Sequence, residues 1–126
     1  MTANLKSYLY RRGTDKALDS AFDSGSFYGA LKLGGSVLFW KIAFRWYAID
    51  LSHVQRVFRR VEPVFGKLCA GGSNYDIESL VLILEDGAEL ELLIGKNEIG
   101  NAVRKDAQRL MQTLQEQFPQ LQFGKP

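Results

Sequence analysis

The sequence predicts a single α+β domain in which strands come first and one long helix comes last. Three observations carry this. An amphipathic stripe occupies the C-terminal part of the chain, and an Asp-Gly pair joins two β-forming runs just before it. No stretch between the strands is long enough for the helical crossovers that parallel pairing needs. A chain of 126 residues suits one core, and 46% hydrophobic with 24% charged residues is an ordinary globular balance.

The helix is the clearest element. Across residues 98–118, Ile99, Val103, Ala107, Leu110, Met111, Leu114 and Phe118 recur three or four apart, one stripe on about six turns. Asn97 is the expected N-cap, Glu98 suits the positive end of the helix dipole, and Pro119 stops the helix. Upstream, residues 77–84 form an apolar run. Residues 88–94 alternate, with Leu90, Leu92 and Ile94 on one side and Glu89 and Glu91 on the other. The intervening Glu85-Asp86-Gly87 favours a hairpin with one wet face.

Earlier in the chain, residues 27–33 and 36–41 flank Gly34-Gly35 and read as a second hairpin. Residues 45–51 alternate as a strand. Val54, Val57, Phe58 and Val61 sit at helical spacing with Ser52 available as a cap, yet they lie in a β-branched, arginine-rich run that also suits a twisted strand ending at Pro63. Residues 14–22 suit a short helix capped by Thr14, with Ala17, Leu18, Ala21 and Phe22 as its face. Residues 1–25 are thus expected to be an N-terminal arm or short helix, and residues 26–126 the domain proper.

The segment Ile49-Asp50-Leu51-Ser52-His53-Val54-Gln55-Arg56-Val57, the Asp86-Gly87 hairpin and the helix ending at Phe118-Pro119 resemble bacterial pleckstrin-homology-like domains. The resemblance covers residues 27–118. It implies a strongly bent antiparallel sheet, or partly open barrel, whose open end is plugged by the C-terminal helix. It also favours strand for residues 54–61. Lipid-binding members of that family carry closely spaced basic residues in the first hairpin. Here Lys32-Leu33-Gly34-Gly35-Ser36 offers only Lys32, so inositol phosphate recognition is not expected. The last helix also lacks the tryptophan many members carry, leaving Phe118 or Met111 to fill that place.

No catalytic or metal motif stands out, and no cofactor is expected. The only histidine, His53, has no partner at a telling spacing, and the lone Cys69 excludes an internal disulfide. One cysteine and no signal-peptide pattern at the start suggest a cytoplasmic protein. The most apolar stretch is interrupted by Lys41, Arg45 and Asp50, so no transmembrane segment is expected. The acidic set Asp86, Glu89 and Glu91 reads as a solvated strand face rather than a cation site.

Two features point to binding. Lys41, Arg45, Arg56, Arg59 and Arg60 form a basic cluster, followed by an acidic segment from Asp76 onward. Pairing with that segment is the plainest account, and phosphate or peripheral membrane contact the next. Nucleic acid is disfavoured by a net charge of only +2. Phe39, Trp40, Phe44, Trp46 and Tyr47 crowd a nine-residue stretch. They are either one face of a bent sheet or an exposed interaction patch. The expected function is a non-enzymatic binding or adaptor module acting through a protein partner or homo-oligomer. The alternatives are a small-ligand or enzymatic domain with a pocket near Trp40 and Trp46, and membrane attachment through the basic segment.

Overall fold

The computed structural model describes residues 4–64, 75–97 and 101–125. It is an α+β structure with two sheets and a C-terminal helix. A short 3-10 turn (Leu5–Tyr8) leads into β1 (Leu9–Tyr10) and helix α1 (Lys16–Ser24). Then come β2 (Ser26–Tyr28), β3 (Leu31–Gly34), β4 (Val37–Ile42) and β5 (Arg45–Asp50). After a 3-10 turn at Leu51–His53 follow β6 (Val54–Val64), β7 (Tyr75–Leu84), β8 (Glu89–Asn97), α2 (Ala102–Gln117) and β9 (Gln122–Phe123).

The first sheet has the order β1-β5-β4-β3-β2 and the second β8-β7-β6-β9. All pairings are antiparallel except β6 with β9. The described residues form two sheets and close no barrel. The main core lies between them and α2: Leu38, Trp40 and Ile49 meet Val57, Leu80, Leu82, Leu90 and Leu92, with Ala107, Leu110 and Leu114 of α2 closing one end. At the other face of the first sheet, α1 places Leu18, Ala21 and Phe22 over Tyr10, Val37 and Phe39. The N-terminal residues therefore share a hydrophobic cluster with the sheet.

The expected β7–β8 hairpin, strand β6 and the stop of α2 at Phe118 are present. Leu90, Leu92 and Ile94 are buried, and β7 is covered on both faces from Leu80 to Leu82. Three details differ. The run 27–33 is broken into β2 and β3 by a turn in which Gly29 has φ +59°. An added Cβ there would lie 2.5 Å from the Ile94 carbonyl oxygen, so only glycine allows the approach. Helix α1 is capped by Asp15, whose carboxylate accepts from the Ala17 and Leu18 amides; the Thr14 hydroxyl bonds back to the Arg11 carbonyl instead.

The third concerns α2, which starts at Ala102 with Asn101 in the cap position. Asn97 ends β8, and its Oδ1 still accepts the Arg104 amide at 3.0 Å, capping the helix from the strand. Residues 98–100, the expected first turn, lie outside the described residues, as do Cys69 and the loop glycines at 71 and 72. Asn97 also donates to Glu78 Oε2 at 2.7 Å. Glu78 is fully buried and accepts from Arg59 Nε at 2.5 Å, with Arg104 Nε 3.8 Å from its other oxygen. One buried carboxylate thus ties β6, β8 and α2 together, its charge matched by two guanidinium groups.

Candidate functional site

The pleat divides the basic cluster read from the sequence. Successive strand residues face opposite ways, and Arg59 points inward to Glu78 while Arg60 pairs with Glu91 and lies 3.9 Å from Glu89. Arg56 donates to the Phe123 and Gly124 carbonyls and to Gln122 Oε1, holding β9 against β6. These three arginines serve the fold, two of them pairing with the acidic β7–β8 hairpin. Lys32 is 8% exposed with its Nζ 3.9 Å from the Phe22 ring centre and 5.0 Å from that of Phe27, a cation–π environment.

Lys41 and Arg45 are different. They flank the β4–β5 turn and make no ion pair among the described residues. Ile42 pairs with Arg45, leaving Ala43 and Phe44 as a two-residue loop with φ +50° and +68°. Positive φ at both central residues marks the type I′ hairpin turn, which normally takes Asn-Gly or two glycines. All five residues 41–45 are exposed, and Phe44 is 93% exposed. Sheet pairing adds a residue that sequence reading passed over. β1 pairs Tyr10 with Trp46, so Arg11, exposed and without an ion pair among the described residues, emerges beside the Arg45 end of β5. Neighbouring Arg12 is bound to Asp23 at 2.7 Å, which raises its pKa further. The adjacent basic doublet Arg11-Arg12 was the available signal.

The aromatic stretch is divided in the same way. Phe39 and Trp40 are buried, Trp46 and Tyr47 are half-buried, and Phe44 stands in solvent. Trp46 packs edge-on to Phe22 under α1 at 5.0 Å; Trp40 faces the main core and stacks on Tyr47 at 5.7 Å. The Trp40 Nε1 donor is buried and has no acceptor. Such orphaned donors are rare in native interiors.

Trp40 also lines a cleft of about 300 Å³ between the sheets, with Ala30, Lys41 and Ile42 on one side and Glu91, Leu92 and Leu93 on the other. The sheets are joined at one point beside it, where the Ala30 amide donates to the Ile94 carbonyl at 2.9 Å. Ile42 and Leu93 are about half exposed. The cleft and the hairpin tip are contiguous through Lys41 and Ile42.

A second hollow of about 290 Å³ is lined by Tyr8, His53, Leu84, Glu85 and Asp86. His53 Nδ1 lies 4.0 Å from Glu85, with both side chains about two-thirds exposed. Among the described residues no group of three or more histidine, cysteine, aspartate or glutamate side chains is placed to hold a metal ion, and no helix is long and apolar enough to cross a membrane. No family model, curated protein or solved structure matches the chain.

Proposed function

We propose that the protein is a non-catalytic docking module of pleckstrin-homology-like architecture, engaged by a protein partner through the tip and cleft at the β4–β5 end. The antiparallel succession from β2 to β8, followed by a helix that closes the core with Leu110 and Leu114, supports the architectural part. The exposed Phe44 carries the functional part. A bulky aromatic in left-handed backbone costs stability and gains no burial in the isolated chain. Its neighbours Lys41, Arg45 and Arg11 add charge that nothing in the described fold neutralises. Exposed aromatics beside arginines are the residues that anchor interfaces.

Affinity capture by purified Phe44→Glu protein, compared with the parent chain, tests this. The variant keeps the parent melting temperature to within about 2 °C, as an exposed substitution should, and loses the partner. Equal recovery of the same partner by both proteins places binding elsewhere.

A further inference from the structure

The cleft has the shape of a missing strand. Three consecutive residues of β4 and three of β8 line it. Side chains alternate across a strand, so consecutive residues line one hollow only where the strand presents its edge. Neither edge is paired there. β8 is the terminal strand of its sheet, and β3 covers β4 only from Val37 to Phe39, leaving Trp40, Lys41 and Ile42 paired to β5 alone. Unpaired edges are templates for a further strand.

We propose that an extended acidic peptide segment of a partner protein occupies this cleft, adding a strand between β4 and β8. The proposal rests on the reading of this end as the docking surface and names its occupant. The unpaired edges of β4 and β8 leave backbone groups that an extended peptide, with an amide and a carbonyl at every residue, can pair. Ile42 and Leu93, 46% and 49% exposed, stand at the rim where alternate side chains of an added strand would pack. The charge asymmetry sets the composition. Glu91 is matched by Arg60, whereas Lys41, Arg45 and Arg11 make no ion pair among the described residues. The complement is a segment with aspartate or glutamate at the end nearer the hairpin tip. A compact ligand fits less well, because the unpaired groups are spread along two strand edges. A flat bilayer would meet the Phe44 tip and leave the two strand edges unpaired.

Selection of random linear peptides displayed on phage against the immobilised full chain tests this. Synthetic copies of the enriched peptides are then titrated against parent and variant proteins. The expected peptides alternate β-branched or aromatic residues with polar ones and carry acidic residues at one end. Trp40→Phe, which removes the donor and shrinks the ring behind the β4 edge, weakens binding about 2- to 10-fold. Leu93→Glu weakens it at least about 10-fold and melts like the parent chain, whereas Trp40→Phe melts lower because it shrinks a core side chain. On titration the Trp40 indole proton shifts, and the Glu91 and Leu93 amides gain protection from exchange. Failure to enrich any peptide, or equal binding by parent, Trp40→Phe and Leu93→Glu, overturns the added strand. Phosphatidylserine vesicles form a control arm. Salt-sensitive vesicle binding lost in Phe44→Glu, without peptide enrichment, overturns the peptide and keeps the tip as a binding surface. No peptide and no vesicle binding, together with equal partner capture by Phe44→Glu, removes both readings.

Discussion

Replacing Ala43-Phe44 by Asn-Gly is expected to stabilise the protein. Both residues occupy left-handed backbone, which costs a non-glycine residue roughly 1–2 kcal/mol and asparagine less. Glycine at position 44 removes that cost but loosens the unfolded chain, a loss of about 0.4–1 kcal/mol. Phe44 is 93% exposed, so its removal forfeits little burial. The balance for the double variant is a gain of about 1 kcal/mol. For a chain of 126 residues this raises the melting temperature by about 3–6 °C. Thermal and urea unfolding followed by circular dichroism give the answer, the midpoint rising while the urea slope stays constant. An unchanged or lower melting temperature would refute the reasoning, because Phe44 would then be stabilising the fold. A gain in stability with loss of partner binding is the pattern of a turn kept suboptimal for function.

Other consequences follow from the buried groups. Glu78→Ala leaves Arg59, Arg104 and Asn97 without their shared acceptor. It should lower stability by about 3–5 kcal/mol in urea unfolding, and a loss under about 1 kcal/mol would contradict the hub. At Gly34 an added Cβ would lie 1.8 Å from the Ala21 carbonyl oxygen. Gly34→Ala should therefore lift α1 from the sheet, costing about 3 kcal/mol and altering Trp46 fluorescence as Phe22 withdraws. Unchanged emission and stability would show that α1 is docked otherwise. Tyr10 has its pKa raised to about 12 by burial, by its 2.5 Å hydrogen bond to Asp19 and by that carboxylate's charge. Because the folded value lies above the unfolded one of 10.0, the contribution is complete below pH 10 and is lost as pH rises through about 12. Tyrosinate absorbance should show one late-titrating group that Tyr10→Phe removes, together with part of the alkaline fall in stability.

Elements with a strong local signal were legible in the sequence. The stripe from Val103 to Leu114 and the Asp86-Gly87 turn announce α2 and the β7–β8 hairpin because burial of one face and one turn geometry decide them. Strand β6 is ambiguous in its own residues, which suit helix and strand alike; the family resemblance favours strand, and strand is what forms. The β2–β3 turn was hidden because the approach of Ile94 to Gly29 is tertiary. β1 has only two residues, too few for periodicity, so the placement of Arg11 beside Arg45 could not be read. The basic cluster looked continuous along the chain, but the pleat sends Arg59 and Arg60 to opposite faces, and only partners in space separate structural from free cations. The cleft requires two sheets to diverge from the Ala30–Ile94 contact, a feature no single segment encodes.

On the proposed function, partners meet the β4–β5 end. Glu85, at the β7–β8 turn, bonds to the His53 carbonyl. That turn lies by the Asp50 end of β5, whereas Phe44 lies beyond the Arg45 end. The most direct measurement places a photo-crosslinking amino acid at position 44, and in a matched protein at position 86, in living cells. A discrete covalent adduct is expected from position 44, abolished by Leu93→Glu in the same chain, and none from position 86. Adducts from position 86 with none from position 44 would contradict it.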